Sequence, residues 1–251
     1  METIAAKPRS LVVEIASAPE DIIAAQRLRH DVFAIEMGAR VIGHEHGLDL
    51  DRYDPHCSHL LAREGAGGRV IACLRILDGT SAMRAGGYYS QQEFDMTRVL
   101  LQPGKILEVG RTCVARDRRD GATLSALWSG LAREALARGA DHLIGCASVP
   151  FDPETEALSP LAESLRSYWT GDDLRVFPRR PVPRDAEMPS SETRLPSLLA
   201  AYLRLGAKVC GEPSWDPEFG TADFFVRVSV QKLAARYARR YFGQEESQCA
   251  S

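Results

Sequence analysis

Apolar residues along this chain form short runs that predict β-strands and longer runs at helical spacing that predict α-helices. The strand-type runs occupy residues 10–16, 69–77, 105–114, 142–149 and 221–230, and an acidic stretch beginning at residue 47 leads into a further strand. Helical spacing occupies residues 17–37, with Ser17 and Glu20 as a capping box, and then 123–139, 195–206 and 231–242. This order predicts an α/β fold with a mixed central sheet flanked by helices.

The size of the chain is sufficient for one large globular domain. It has 251 residues, of which 45% are hydrophobic and 26% are charged, so we expect a single domain over 1–251. Residues 150–194 differ from the rest because they are rich in proline and arginine, and we interpret them as an insertion or flap.

Charge and cysteine content narrow the class of protein. A formal net charge of −3 argues against a general nucleic-acid-binding protein. Six cysteines without a CxxC pair predict free thiols in a reducing compartment, without disulfides: residues 57, 73, 113, 146, 210 and 249. Because the chain starts without an apolar signal core and no run approaches the roughly 20 apolar residues of a membrane span, we expect a cytoplasmic protein. The basic terminal helix could contact the inner membrane face, although packing on the domain is the alternative.

The stretch "ILEVGRTCVARDRRDGA", residues 106–122, places Glu108 inside an apolar strand. A buried carboxylate is costly unless it is paired or takes part in proton transfer. Arg75, in "ACLRIL", is a second charge inside an apolar strand. Strand alternation puts Glu108 on one face and Arg111 on the other, and Arg75 could pair with either. Such charges can be catalytic, or they can form a structural ion pair.

A basic turn follows this strand and precedes a helix. Its candidate residues are Arg116, Arg118, Arg119, Gly121 and Thr123. Backbone N–H groups at the positive end of a helix, together with arginines, are suited to binding a phosphate. A solvated basic turn is the alternative interpretation.

Histidines in "GHEHG" and "HCSH" could suggest a metal site. The neighbouring carboxylates and loops make solvated or core histidines the better interpretation. The chain also lacks the nucleophile elbow of Ser-His-Asp enzymes. We therefore expect no metal.

The order of elements resembles the GNAT acyltransferase fold, in which a loop of the form Q/R-x-x-G-x-G/A binds the pyrophosphate arm of a pantetheine thioester. Arg118-x-x-Gly121-x-Thr123 is similar to that loop, with threonine in place of the last small residue. The segments "RLRHDVF", "DLDRYD", "CLRIL" and "LEVGR" resemble the GNAT branch that takes acyl groups from acyl carrier protein. That branch contains acyl-homoserine lactone synthases and ornithine lipid N-acyltransferases. The late segment "LPSLLAAYLRLGAKVCGEPSWDPEFGTADFF" is similar to the ornithine enzymes.

This resemblance implies an N-acyltransferase that moves a 3-hydroxy fatty acyl group from acyl carrier protein to the α-amino group of L-ornithine, the first step of ornithine lipid synthesis. It implies no cofactor beyond the acyl carrier protein thioester. The residues that carry it are Arg29, Phe33, Asp51, Asp54, Arg75, Glu108 and Arg111.

The roles follow the same resemblance. Glu108 and Arg75 are catalytic candidates, with Glu108 as the base that deprotonates the amine. Arg29, Phe33, Asp51, Asp54 and Arg111 are candidates for binding the acceptor. The basic turn, with residues 175–184, would bind pantetheine phosphate and the acidic carrier protein. Synthesis of another N-acyl amino acid, use of acyl-CoA, and a catalytically silent binding protein remain alternatives.

Overall fold

The computed structural model describes residues 11–152, 159–182 and 195–237. The chain divides into two compact units. The first contains residues 1–76 and 111–131, and the second contains residues 77–110 and 132–251. Parts of the expected insertion at 150–194, the end of the terminal helix and Cys249 lie outside the described residues, and the expected single domain stays a prediction.

The strands of the described residues are named in chain order. They are β1 Leu11–Ile15, β2 Ser58–Glu64, β3 Val70–Asp78, β4 Phe94–Asp95, β5 Ile106–Val114, β6 His142–Pro150, β7 Phe177–Pro178, β8 Lys208–Val209, β9 Ser214–Asp216 and β10 Thr221–Ser229. A mixed sheet follows the order β1-β2-β3-β5-β6-β10-β8, with β9 beside β10, and β4 pairs with β7. The predicted mixed sheet is thus confirmed.

The helices lie between these strands. They are α1 Pro19–His30, α2 Gly79–Ala85, α3 Thr97–Leu100, α4 Gly121–Ala137, α5 Ser159–Leu165 and α6 Ser197–Arg204, and residues 230–237 are also helical. None of the described helices is long and apolar enough to span a bilayer.

The first unit contains the antiparallel strands β1, β2 and β3 and the second half of β5. Leu11 lies opposite Glu64, and His59 lies opposite Arg75. Helix α4 approaches β1 so closely that a Cβ on Gly130 would lie 2.4 Å from the Cγ1 of Val13. A larger residue at 130 would therefore force the helix away from the strand.

The second unit contains the first half of β5, which runs parallel to β6. The pairing ends with Glu108 opposite Ile144. One residue later, a Cβ on Gly145 would lie 2.3 Å from the carbonyl oxygen of Val109, a distance that only glycine allows. Strand β6 then pairs antiparallel with β10 along its length.

The start of α1 differs from the prediction. Ala18, not Ser17, is the N-cap, and the Asp21 carboxylate accepts hydrogen bonds from the backbone N–H groups of Ser17 and Ala18 at 3.2 and 3.3 Å. Pro19 occupies the first helical position, where its fixed φ and missing N–H cost nothing. Beyond His30 the predicted helix continues as a π-helical turn, Asp31–Glu36, which ends before Met37.

Five cysteines lie within the described residues, and all are free thiols. Cys73 on β3 and Cys113 on β5 are buried, with their sulfur atoms 3.5 Å apart. The hydrogen-bond contact with Cys73, together with burial, raises the pKa of the Cys113 thiol well above its usual value. Both therefore behave as apolar core groups.

Candidate active site

A charge-balanced cluster of six buried or nearly buried side chains lies in the first unit, and we call it the Arg–Asp cluster. Its members are Arg29, Arg75, Arg111, Asp49, Asp51 and Asp54. Of its members, the sequence analysis singled out every one except Asp49. Each arginine contacts at least two of the aspartates, so the charges compensate one another away from water.

Arg29 on α1 is the most buried arginine of the cluster. Its Nε lies 2.7 Å from Oδ2 of Asp49, and its Nη1 and Nη2 lie 2.8 and 3.0 Å from the two carboxylate oxygens of Asp54. Its Nη2 also donates to the backbone oxygen of Asp49 at 2.6 Å. The planar guanidinium therefore ties α1 to the acidic loop at both ends of the "DLDRYD" segment.

The other two arginines come from neighbouring strands. Nη1 of Arg75 lies 2.6 Å from Asp51 and 2.9 Å from Asp54. Arg111 contacts Asp49 at 3.1 Å and Asp51 at 3.3 Å. The sequence left open whether Arg75 pairs with Glu108 or Arg111, and its ion pairs are instead with Asp51 and Asp54 of the acidic loop.

The acidic loop is preorganised by its own backbone. Oδ1 of Asp51 accepts hydrogen bonds from the N–H groups of Tyr53 and Asp54 at 2.8 and 3.2 Å, as in an Asx turn. A short 3₁₀ turn, Asp54–His56, follows at once. The turn fixes both carboxylates toward the arginines before any substrate binds.

Asp54 stays ionised although it is buried. Burial alone would raise the pKa of its carboxyl, but the hydrogen bonds and charges of Arg29 and Arg75 outweigh burial and hold the pKa well below its usual range. Asp54 is therefore a fixed negative charge at neutral pH, shared by Arg29 and Arg75.

Arg111 reaches the cluster from an unusual backbone conformation. Its φ is 53°, in the left-handed region, which non-glycine residues seldom occupy. The regular alternation predicted for residues 105–114 is therefore interrupted at Arg111. The ring of Phe33 lies 6.0 Å from the guanidinium carbon of Arg111, which brings a further predicted residue to the cluster.

Asp49 was missed by the sequence analysis. It is 1% exposed, and its Oδ1 has no hydrogen-bond partner among the described residues. The only local signal is its position in "DLDRYD", two residues before Asp51.

Glu108 lies in the second unit, buried on β5 as predicted. Its Oε2 accepts from the N–H of Tyr89 at 2.7 Å. Its Oε1 accepts from both the N–H and the hydroxyl of Ser90, at 2.8 and 2.6 Å. Each of these bonds favours an ionised carboxylate and fixes its orientation. The carboxylate also caps the 3₁₀ turn Tyr89–Gln92, so it has a structural role.

A second buried acidic group adjoins Ser90. The Sγ of Cys146 lies 3.4 Å from the Ser90 hydroxyl and 3.6 Å from Oε2 of Glu93. Burial and the nearby Asp223 raise the pKa of Glu93, and burial raises the pKa of Asp223 and of the Cys146 thiol. Ser90, Cys146 and Glu93 had not been singled out as site residues, because no sequence pattern links them to Glu108.

Glu93, Cys146 and Asp223 have ligand atoms within 4.8 Å of one another. Metal ligands must be deprotonated, whereas burial raises the pKa of all three groups and so disfavours their deprotonated forms. We therefore assign no metal to them. Within the described ranges, none of the four histidines weighed above belongs to a group with metal-ligand spacing.

The predicted basic turn is held by ion pairs of the first unit. Arg118 contacts Glu64, and Arg119 lies 2.6 Å from Glu36. Asp120 accepts from the N–H of Thr123 at 2.7 Å and so caps α4. The helix end predicted to receive a phosphate therefore carries a carboxylate, while Gly121 is exposed and Thr123 is buried.

Comparisons with known proteins agree with this architecture. Residues 28–129 match the family model described as "Acetyltransferase (GNAT) domain". The L-ornithine N(alpha)-acyltransferase of Rhodobacter capsulatus is 32% identical, over 95% of this chain and 97% of its own. That of Brucella abortus is 34% identical, over 94% of this chain and 90% of its own. The structure of the CoA-dependent acyl-homoserine lactone synthase BjaI matches with a TM-score of 0.57, 19% identity and coverage of 92% of this chain and 89% of that chain.

Proposed function

Because this chain belongs to the L-ornithine N(alpha)-acyltransferase family, with a GNAT fold, we propose that it transfers a 3-hydroxy fatty acyl group from acyl carrier protein to the α-amino group of L-ornithine. This would be the first step of ornithine lipid synthesis. The observation that carries the proposal is the similarity to curated relatives over 95% of this chain and 97% of the relative. L-Ornithine as the acceptor follows from the name of the family. The 3-hydroxyacyl group and acyl carrier protein as the donor follow from the motif resemblance.

The reaction needs a base because the α-amine of an amino acid is mostly protonated at neutral pH. Glu108 takes that proton, directly or through a water molecule. The amine nitrogen then attacks the thioester carbonyl and a C–N bond forms. The nitrogen gives up its second proton and the C–S bond breaks. That proton goes to the leaving thiolate, so the products are the amide and the free thiol of the carrier. Backbone N–H groups of the strand region hold the oxyanion that forms on the carbonyl oxygen.

The bonding of Glu108 supports its role as the base. A carboxylate held by Tyr89 and Ser90 is presented in one orientation, which general-base catalysis requires. The same bonds favour the ionised form that a base requires.

Within the Arg–Asp cluster, we assign acceptor binding to its most accessible members. Asp51 and Arg111 have side chains 11% and 12% exposed, whereas Arg29 is 1% exposed and Asp54 is 7% exposed. Asp51 would bind an ammonium group and Arg111 the α-carboxylate of the acceptor. Arg29, Asp54 and Arg75 act through them as positioning residues, and Phe33 packs beside Arg111.

The basic turn would receive the acidic carrier protein and its pantetheine phosphate. Because Asp120 occupies the N–H of Thr123, we place the phosphate contact on the arginine side chains of Arg116, Arg118 and Arg119. Arg118 and Arg119 would exchange their present contacts with Glu64 and Glu36 for those of the partner.

An intact-mass assay tests the proposal. The protein is incubated with 3-hydroxyacyl carrier protein and, separately, with the matching acyl-CoA, in each case with L-ornithine, D-ornithine, L-lysine or putrescine. We expect loss of the acyl mass from the carrier only with L-ornithine, with matching N(alpha)-acylornithine by mass spectrometry. Product from acyl-CoA alone, or preference for another amine, would contradict it.

A further inference from the structure

Ser90 makes two contacts with one oxygen of Glu108. Its N–H and its hydroxyl lie 2.8 and 2.6 Å from Oε1, and the residue is 1% exposed. Backbone N–H groups are present at every non-proline residue, so a backbone capping role requires no hydroxyl at position 90. The hydroxyl adds a short O–H···O⁻ bond, which is among the stronger hydrogen bonds of proteins.

We propose that Ser90 is a positioning residue that holds the Glu108 carboxylate for removal of the proton from the acceptor amine. The inference rests on the proposed role of Glu108 as the base. A carboxylate oxygen offers about two acceptor sites, and Ser90 fills both on Oε1.

The direction of the Ser90 hydroxyl follows from chemistry. An ionised carboxylate can only accept, so the single proton of the hydroxyl points to Glu108. The thiol of Cys146 donates its single proton to Oε2 of Glu93 at 3.6 Å, so its 3.4 Å approach to the Ser90 oxygen is a packing contact.

Three titratable side chains near Glu108 are uncharged near pH 7. Burial and the charge of Glu108 raise the pKa of Tyr88 to about 12, with a smaller contribution from Asp78. On β6, burial keeps the Cys146 thiol protonated, and beyond it burial and Asp223 keep Glu93 protonated. The Ser90 hydroxyl, by contrast, donates directly to the Glu108 carboxylate and favours its ionised form.

The test is the pH dependence of kcat for Ser90→Ala, which removes the hydroxyl and keeps the N–H. We expect kcat near neutral pH to fall by about 10- to 100-fold, because the base loses its fixed orientation. The acidic midpoint of the profile should rise by about one unit, because a hydrogen bond to the ionised form is lost. KM for L-ornithine should change little. Ser90→Cys, whose thiol is a weaker donor, should give an intermediate midpoint.

Ser164→Ala is the matched control, because its hydroxyl also makes a short bond, 2.7 Å to the backbone oxygen of Leu161, away from Glu108. It should leave the profile unchanged. A folded Ser90→Ala protein with the wild-type profile would overturn the inference. If Ser90→Ala does not fold, Ser90→Gly replaces it, and the same kcat and acidic midpoint are measured.

Glu108→Gln separates this inference from the proposed base. If Glu108 is the base, adding Ser90→Ala to Glu108→Gln should cause no further loss of kcat. If Glu108→Gln is as fast as wild type, the base assignment fails whatever Ser90 does. If Glu108→Gln is slow but Ser90→Ala keeps the wild-type midpoint, only the role of Ser90 fails.

Discussion

Arg29 and Asp54 form a two-point ion pair in the interior of the first unit. Nη1 lies 2.8 Å from Oδ1 and Nη2 lies 3.0 Å from Oδ2, and Arg75 contacts the same carboxylate at 2.9 Å. A buried carboxylate shared by two arginines is strongly coupled to folding, because losing it leaves the three arginines of the cluster with only two aspartates.

Asp54→Asn should therefore lower the free energy of unfolding by about 3–5 kcal/mol, as expected for one broken partner of a buried pair. Denaturant unfolding measures it. Glu163→Gln is the control, since the ion pair between Glu163 and Arg166 is exposed and should contribute less than about 1 kcal/mol. Equal losses in the two variants would show that the cluster is not coupled to folding.

The same carboxylate predicts acid sensitivity. Arg29 and Arg75 lower the pKa of Asp54 in the folded protein despite its burial. Below about pH 4 the unfolded chain therefore binds a proton at Asp54 that the folded chain does not bind. Stability should fall as pH decreases through this range. The Asp54→Asn protein should show a shallower fall, measured by unfolding between pH 7 and pH 3.

Glu93→Gln should show the opposite pH dependence. Burial and Asp223 raise the folded pKa of Glu93, so above about pH 4.3 the folded chain keeps a proton that the unfolded chain has lost. Stability from this group is therefore lost as pH rises, and glutamine removes the titration. The stability of Glu93→Gln relative to wild type should increase from pH 5 to pH 9. A difference that stays constant over this range would show that Glu93 is ionised in the folded protein.

Asp51→Asn should raise KM for L-ornithine by about tenfold or more, because a charged partner of the substrate is lost, and should leave KM for the acyl donor nearly unchanged. Steady-state kinetics with each substrate varied measures this split. Glu218→Gln, an exposed change in the other unit, should alter neither value. Equal increases in both KM values would instead indicate a structural loop.

Reversing the charge of Arg118 and Arg119 should raise KM for acyl carrier protein at least about tenfold, since charge governs encounter with an acidic partner. The difference in this KM between the wild-type and charge-reversed proteins should decrease as salt increases, because the Debye length is only about 10 Å at 0.1 M. Arg166→Glu, at a side chain 58% exposed, is the control. Turnover that is insensitive both to the reversals and to salt would place docking elsewhere.

Glu108→Gln should reduce kcat by about 10²- to 10⁴-fold, the usual effect of losing a general base. The wild-type rate should rise with pH until the base and the amine are both deprotonated. A glutamine amide has one acceptor oxygen, so it cannot satisfy both Tyr89 and Ser90, and some loss of stability is expected as well. Melting temperature and carrier-protein binding distinguish the two effects, and a folded variant with wild-type kcat would remove Glu108 from catalysis.

Elements with strong periodicity were predictable from the sequence. Strand β5 was predicted at 105–114 and lies at Ile106–Val114, and α4 was predicted within two residues of its observed ends. The predicted start of α1 was wrong. Pro19 and Asp21 determine the N-cap through local geometry that a Ser-x-x-Glu pattern does not contain.

The site was predictable only where the family motifs contain it. Those motifs predicted Glu108 and every member of the Arg–Asp cluster except Asp49. The partners of Glu108 were not predictable, because Ser90 is 18 residues away along the chain and meets it through tertiary folding. The left-handed φ of Arg111 was equally hidden, since an arginine carries no signal for it.

The close approach of Gly145 to Val109 has a consequence for mutational tolerance. In a library that samples every amino acid at each glycine of β5 and β6, position 145 should return only glycine among active clones. Gly110 is the natural comparison, because an added Cβ there would meet nothing within 4 Å. Two glycines that look equivalent in the printed sequence should therefore differ sharply in how much variation selection allows.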